Sequence, residues 1–487
     1  MRITKLSRHV FAILFIGASL LISNAVFAQS FAESPPMNVS FAPHATAQNY
    51  PAYANDASLE ARISSIESAL KLKQDKPNPK KGFTRVIDGR VYFDSYSVSN
   101  QEGSATGLTS LNTLTDYNGL RDLRVGVKGE GYDIFDYKVD LCFIEQTGGT
   151  SNNSSVNLKD VWFGVKNVPL LEYVRIGHYR LEDGASNMTG GTNTTFFEFD
   201  GRDFATGRRI GISSRHLWAQ DTIRFFAGFF YERNIANRAR FDRNNDQGSI
   251  ANFRLTFLPY ASRGKDGKID GKDFLFFGGN YSYYDLSKST TGTQSTSFTE
   301  RFGNLDLTLQ QITVNAASYN KFGLEFIYQC EAFTLQSETY ANVYNSSKLT
   351  NGVSRDRTIW GTYITAKYFL TGDYRKFSAE NAAWGGVSLR HNLELKKVND
   401  SNFAEWIGGL ELAVKWSYTD TSDFYDVAVN RFTGSVNDIT IGLNWYWSPQ
   451  ARWLFDYIHV MPNQQRGATG RDHSSTDIFA ASFRYNF

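Results

Sequence analysis

From Thr84 to the C-terminus, apolar and polar side chains alternate with a period of two residues in one segment after another. In the last segment, "DIFAASFRYNF", the apolar residues Phe479, Phe483 and Phe487 share one parity and Arg484 has the other. Successive side chains of a β-strand point to opposite faces, so each segment predicts a strand with one apolar and one polar face. Because the pattern continues without a linker, we expect one large all-β unit rather than several domains.

A soluble β-sandwich also alternates, with its apolar face inward, so two all-β architectures have to be compared. Here short turns such as "NVPLL" and "SPQ" alternate with eight long polar connections, at about 99–119, 147–156, 181–206, 234–248, 287–318, 345–356, 420–435 and 461–475. This layout predicts a transmembrane antiparallel up-and-down β-barrel with its apolar face toward lipid, the long loops outside and the turns in the periplasm.

The strand count depends on one segment, residues 372–404, which contains "WGGVSLRHNLELKK". Counting it as a barrel strand gives 17, whereas a closed bacterial barrel with both ends on the periplasmic side needs an even number. We therefore assign 372–404 to an irregular periplasmic crossing that folds into the pore mouth. About 16 strands remain, a size that encloses an aqueous channel.

The N-terminus has the features of a secretory signal peptide. Arg2, Lys5 and Arg8 precede the apolar run "VFAILFIGASLLI", and Ala28 is a small residue at the expected cleavage site. The run is shorter than the ~20 residues of a spanning helix, although an uncleaved anchor is the alternative. Removing the signal takes three of the 51 basic residues and none of the 49 acidic ones, and 48 minus 49 leaves a net charge of −1. The net charge therefore supports neither nucleic-acid binding nor an anion preference.

A short helix with an apolar seam precedes the strands. Its seam residues are spaced four, three and four apart, as in the a and d positions of a coiled coil: Leu59, Ile63, Ile66 and Leu70. Isoleucine at both seam positions favours three helices, so we expect a trimer, with a lone amphipathic linker helix as the alternative. The predicted organisation is a signal peptide at 1–28, a flexible segment at 29–58, the coiled-coil helix at 59–76, a linker at 77–82 and the barrel at 83–487.

Basic side chains of inward parity are candidates for an anion site, because low-dielectric walls focus the electric field at a narrow point. On the strand segments these residues are Arg124, Lys128, Arg175, Arg224 and Arg254. The connections add Arg180, Arg202, Arg208, Arg209, Arg238, Arg240 and Arg243. For each of them the alternative is an arginine or lysine that pairs with a carboxylate and stabilises the wall. Acidic residues in 181–206, among them Glu182 and Asp183, weigh against strong phosphate selectivity.

Several stretches resemble one known family. They are "YFLTGDYRKF", "GGLELAVKWSYTDTSD", "ITIGLNWYWSPQARWLFDYIHV", the last strand, and upstream "DVWFGVKNVPLLEYVRIGHYRLEDGASNMTGGTNTTFFE". On these stretches the chain resembles the phosphate-selective porin O and P family. The resemblance implies a trimeric, cofactor-free, 16-stranded channel of the bacterial outer membrane that passes small anions such as phosphate by diffusion. The strand that ends in Phe487 also resembles the signal that outer-membrane assembly machinery reads.

Other function classes have weaker support. No nucleophile motif accompanies any of the histidines, so we predict no enzymatic activity. The acidic turn "GKDGKIDGKD" lacks the spacing of a calcium loop, and Cys142 and Cys330 lie on opposite strand faces, which disfavours a disulfide. The remaining alternatives are a general or weakly cation-selective nutrient porin and a structural or adhesive barrel that binds a partner through loop 287–318.

Overall fold

The structure is a computed structural model, and it describes residues 82–99, 116–145, 156–232, 247–286, 296–302, 307–348, 353–395, 406–425, 432–466, 470–472 and 475–487. Several sequence predictions lie outside these residues. They are the signal peptide, the flexible segment, the coiled-coil seam of Leu59, Ile63, Ile66 and Leu70, and the loop arginines Arg238, Arg240 and Arg243.

The described residues form 21 strands. The first nine are β1 Val86–Ser99, β2 Tyr117–Gly131, β3 Phe135–Glu145, β4 Asn157–Val168, β5 Glu172–Arg180, β6 Arg208–Trp218, β7 Ile223–Tyr231, β8 Ser249–Arg263 and β9 Ile269–Asp285. The next seven are β10 Thr296–Phe302, β11 Leu307–Val314, β12 Ser318–Cys330, β13 Phe333–Lys348, β14 Ser354–Phe369, β15 Tyr374–Ser378 and β16 Ala383–Ser388. The last five are β17 Gly409–Asp420, β18 Phe432–Tyr446, β19 Ala451–Arg466, β20 Gly470–Asp472 and β21 Thr476–Asn486.

Sixteen of these strands close into one antiparallel barrel, as the sequence predicts. They are β1–β9, β12–β14, β17–β19 and β21. The first strand pairs with both β2 and the last strand, where Val91 lies opposite Tyr485. The short β20 extends the sheet beside the end of β19. Closure gives every long strand two neighbours and leaves no free sheet edge.

The two faces of the barrel differ as the alternation predicts. On β21, Phe479 is 52% exposed on the outer face, whereas Arg484 is 2% exposed on the inner face. The same outward placement holds for Phe163, Leu255 and Leu324 on other strands. An apolar outer face over a polar interior is the arrangement of a membrane barrel and the reverse of a soluble sandwich.

Helices contribute little to the described part of the chain. The α-helix, α1, spans Ala185–Met188, and two 3-10 turns span Arg202–Phe204 and Ser422–Phe424. No helix in the described ranges is long and apolar enough to cross a membrane. Neither Cys142 nor Cys330 takes part in a disulfide bond in the described part of the chain.

Three connections fold into the barrel interior. The first is the inner loop, residues 181–207, which joins β5 to β6. The second is the β10–β11 hairpin, whose Phe298 ring lies 5.2 Å from the ring of Phe204 in the inner loop. The third is the inner hairpin, residues 374–388, formed by β15 and β16. Together these segments occupy part of the interior, and an open cavity lies beside β1–β6.

The structure corrects two details of the sequence prediction. Of the predicted segment 372–404 the structure describes residues 372–395. They form no strand of the barrel, as predicted, but they are not wholly irregular, because Phe377 and Trp384 pack with Phe274 and stabilise a regular hairpin. The connections predicted at 461–475 and 345–356 are shorter, because β19 pairs with β18 as far as Arg466 and β13 pairs with β14 as far as Lys348.

Candidate functional site

An open cavity of about 730 Å³ lies along the inner face of β1–β6. Its opposite side is formed by the tip of the inner loop, from Gly190 to Asn193, and by Glu380 and Asn381 of the inner hairpin. A Cβ atom on Gly191 would lie 3.3 Å from Nη1 of Arg90, so the guanidinium of Arg90 lies directly against this tip. The cavity is therefore narrow where Arg90 of the wall faces Gly191 of the loop.

Charged side chains of both signs line the cavity. Seven are basic: Arg90, Arg124, Lys128, Lys138, Arg175, Arg180 and Arg208. Six are acidic: Asp88, Glu130, Asp136, Asp140, Asp160 and Glu380. Seven minus six gives the lining a formal charge of +1, so the balance depends on which of these groups are paired.

Five of the seven basic groups form ion pairs. Asp122 accepts hydrogen bonds from Arg90 at 2.6 Å and from Arg124 at 2.7 Å. Lys128 lies 2.7 Å from Asp88, Lys138 lies 3.6 Å from both Asp140 and Asp160, and Arg208 lies 2.8 Å from Asp160. Their fields are thus largely cancelled by adjacent carboxylates.

Arg175 is held by aromatic rings instead of a carboxylate. Its guanidinium lies 4.0 Å from the ring centre of Trp162, and its Nε donates a hydrogen bond to the Tyr173 hydroxyl at 3.0 Å. That hydroxyl donates to Asp136 at 3.0 Å. Within the described residues, no carboxylate lies within ion-pair distance of Arg175, and Glu182 acts on it only from farther away.

Arg180 is the second basic group without a carboxylate partner among the described residues. Its Nη1 donates to the carbonyls of Asn187 and Thr189 at 2.6 and 2.9 Å. It thereby joins the end of β5 to the inner loop. Arg180 also interacts electrostatically with Arg208, Arg90 and Arg124, and with Asp160, the ion-pair partner of Arg208, so these arginines form one cluster around that carboxylate.

Carboxylates on the opposite wall hold the backbone N–H groups of the inner loop. The amide of Ala185 donates to Glu325 at 2.8 Å, and the amide of Ser186 donates to Glu338 at 2.9 Å. Farther along the loop, the amide of Phe197 donates to a carboxylate on β19 at 2.6 Å. These three hydrogen bonds fix the path of the loop.

A buried arginine and an amide side chain hold carbonyl groups of the same loop. Arg375 of the inner hairpin donates to the carbonyl of Asn193 at 2.7 Å, and Asn444 donates to that of Thr195 at 2.8 Å. Arg375 also forms a two-bond ion pair with Glu411, with both distances at 2.6 Å. The loop tip is therefore fixed to the inner hairpin and to β17–β18 at the same time.

A closed barrel with an arginine-lined cavity narrowed by an inner loop is consistent with the resemblance noted in the sequence. The family model described as phosphate-selective porin O and P matches residues 100–487. The chain belongs to this family. Its members are porins, and the chain is accordingly an outer-membrane channel protein.

Solved structures that are similar to the porin in backbone path have low sequence identity to it. An anion-selective porin from Comamonas acidovorans is 11% identical, with a TM-score of 0.47, covering 83% of this chain and 100% of that one. The outer membrane channel DcaP of Acinetobacter baumannii is 10% identical, with a TM-score of 0.46, covering 83% and 98%. No curated protein sequence matches the porin.

The nine predicted site residues that lie in the described ranges fall into three groups. Five of them line the cavity: Arg124, Lys128, Arg175, Arg180 and Arg208. Arg224 and Arg254 also face the interior, but each is 1% exposed and lies 2.6 Å from a carboxylate, Glu182 and Glu325 respectively. These two arginines lie between the wall and the inner segments, where their charges are compensated.

Two further predicted residues lie away from the cavity. Arg202 lines a separate cavity of about 80 Å³ behind the inner loop and lies 3.3 Å from Glu198. Arg209 donates to backbone carbonyls, among them that of Glu232 at 2.5 Å.

Arg90 and Lys138 line the cavity but were missed by the sequence reasoning. Arg90 has the parity opposite to Val91 and Phe93, so the alternation in "VIDGRVYFD" could have identified it.

Proposed function

We propose that the porin conducts small anions, phosphate among them, by passive diffusion through the cavity beside β1–β6. The observation that carries this proposal is the pair of guanidinium groups, Arg175 and Arg180, that line the cavity without an ion pair among the described residues. The other basic groups of the lining have carboxylate partners, so these two supply the excess positive charge.

The surroundings of Arg175 and Arg180 strengthen the electric field that these two charges produce in the cavity. A charge beside low-dielectric walls produces a stronger field than the same charge in bulk water, and a narrow passage brings each solute close to it. Arg180 and Arg208 lie in one cluster with Arg90 and Arg124, so an anion at the loop tip would meet several guanidinium groups in succession. Selectivity then arises from this section of the passage and not from the net charge of the chain.

The assembly of the porin is part of the proposal. Its apolar outer face would contact outer-membrane lipid, and the a/d seam from Leu59 to Leu70 would bring three copies together. The C-terminal strand with Phe487 would serve as the signal for the outer-membrane assembly machinery. Transport would require neither a cofactor nor a chemical reaction.

The reversal potential of purified porin in a planar bilayer across a KCl gradient tests the proposal. We expect the wild-type channel to prefer chloride over potassium, and the double variant Arg175→Gln and Arg180→Gln to lose most of that preference. Lys265→Gln removes one positive charge from an exposed turn and serves as the control, which should keep the wild-type value.

Two results would contradict the proposal. Cation selectivity of the wild type, or an unchanged preference in the double variant, would favour a general or weakly cation-selective nutrient porin. Absence of conductance in correctly folded barrels would favour a structural or adhesive role.

A further inference from the structure

The surroundings of Arg175 indicate which class of anion the cavity binds best. This inference rests on the proposed anion conduction. The guanidinium lies over Trp162, and the rings of Tyr173 and Tyr179 lie 5.3 and 5.4 Å from it. Its Nε is occupied by the Tyr173 hydroxyl. Three aromatic rings and one hydrogen bond therefore fix the plane of the group, while its terminal nitrogens have no partner among the described residues.

A guanidinium with its plane fixed offers two parallel N–H donors. This geometry matches the two oxygens of a carboxylate, which can accept both hydrogen bonds in one plane. A lysine at the same place would offer a point charge without such a preference. Arg175 thus has the geometry of a carboxylate-binding group that remains unoccupied by the protein's own acids.

The charge balance favours anions of a single charge. The cavity lining has a formal charge of +1, from seven basic and six acidic side chains. Asp136 lies one hydrogen bond beyond the Tyr173 hydroxyl and would repel a second negative charge near Arg175. The other unpaired cation, Arg180, already uses Nη1 for two carbonyls of the inner loop. Divalent phosphate would therefore lack a second fully available cation.

Apolar surface lies next to the guanidinium of Arg175. Trp162 and Met188 line the same cavity, on the wall and on the inner loop respectively. A solute with a small carbon skeleton could cover part of this surface while its carboxylate contacts Arg175, which adds favourable burial. An inorganic anion gains nothing from such contacts.

We propose that the porin preferentially binds and passes small organic monocarboxylates, with Arg175 and Trp162 as the residues that determine this specificity. Arg175 holds the carboxylate through its two terminal nitrogens. Trp162 keeps the guanidinium in plane and contributes apolar contact to the carbon skeleton. The preference over divalent phosphate follows because only the guanidinium of Arg175 is fully available and carboxylates surround it.

The experiment compares how strongly benzoate, acetate and inorganic phosphate block the chloride current at about pH 8, where phosphate is mainly divalent. We expect benzoate to block wild-type porin at the lowest concentration, acetate at a higher one and phosphate at the highest. Arg175→Lys should weaken the benzoate block about tenfold and the phosphate block much less, because a lysine offers a point charge without the two parallel donors. Trp162→Leu should abolish the difference between benzoate and acetate.

Arg263→Lys is the matched control, because Arg263 is exposed and donates to backbone carbonyls in a turn. It should leave every blocking concentration unchanged. Stronger block by phosphate than by benzoate in an anion-selective wild type would overturn this inference and leave the proposed anion conduction intact. An unchanged benzoate block in folded Arg175→Lys would also overturn it. Cation selectivity of the wild type would overturn the proposed function, and this inference with it.

Discussion

Arg484 joins the last strand of the barrel to the inner loop, because its Nη2 donates a hydrogen bond to the carbonyl of Phe197 at 2.7 Å. Its Nη1 donates to the carbonyl of Gly191 at 2.9 Å. One side chain on β21 thus fixes two points of the loop that narrows the cavity. The side chain is 2% exposed, so little water competes for these bonds.

Removing this side chain should loosen the loop. We expect Arg484→Ala to lower the free energy of unfolding by about 2 kcal/mol or more, since buried carbonyls lose charged donors. Single-channel recordings should show a noisier current and a changed mean conductance. Arg263→Ala, which removes an exposed arginine bonded to two carbonyls, should behave as wild type. A quiet wild-type current from Arg484→Ala would contradict this role.

The buried pair of Arg375 and Glu411 should be among the costliest to break. Both side chains are at most 1% exposed, so Glu411→Gln leaves a buried cation without its counter-charge. We expect the free energy of unfolding to fall by about 3–5 kcal/mol, measured by denaturant titration in detergent. Replacing both residues with methionine should cost less than the sum of the single changes. Arg355→Gln, in the exposed pair with Asp423, should cost less than about 1 kcal/mol.

Gly184 should not tolerate a side chain. Its φ is 148°, and a Cβ atom there would overlap the Tyr340 hydroxyl and lie 2.7 Å from Glu338. We expect Gly184→Ala to displace the start of the inner loop and to change the single-channel conductance. Gly207 distinguishes steric overlap from backbone strain, because its φ is also positive, at 76°, but no atom lies within 4 Å of an added Cβ atom. Gly207→Ala should cost about 1 kcal/mol from backbone strain and leave the conductance unchanged.

Acid should weaken one contact of the inner loop. Burial by itself would raise the pKa of Asp183, but Lys321 at 2.5 Å and the amide of Thr206 lower this pKa below its ordinary value of 3.8. A lowered folded-state pKa means that the stabilisation is present above the unfolded pKa and is lost as pH falls through the folded one. We therefore expect this contact to persist down to about pH 4 and to fail below it.

Asp183→Asn should show the same loosening at neutral pH, seen as added current noise. Asp266→Asn, in an exposed turn, is the control and should leave the recording unchanged. A quiet current from Asp183→Asn at pH 7 would show that other contacts suffice to hold the loop.

The strands and their faces could be predicted because they depend on neighbours in sequence. The two-residue period by itself puts Phe479 outside and Arg484 inside, and the alternation of short and long connections gives sixteen strands. The same period would have identified Arg90. These features need no knowledge of what lies across the barrel.

The pairing of the inner charges could not be predicted, because the partners are distant in sequence. Arg254 is 71 residues from Glu325, and the amide of Phe197 is 259 residues from Asp456. Whether an inward arginine is free or compensated depends on how the inner loop and the inner hairpin cross the interior. Arg175 and Arg254 therefore looked alike in sequence and differ in the structure.

The seam between β1 and β21 has a consequence for the order of events during biogenesis. Gly89 and Phe487 exchange two backbone hydrogen bonds, at 2.9 and 3.1 Å, only three residues from Arg484. A chain that lacks this final stretch can neither close the barrel nor hold the inner loop that narrows the cavity. Closure of the barrel and fixation of the inner loop therefore depend on the same C-terminal strand, so we expect both to be completed in one step.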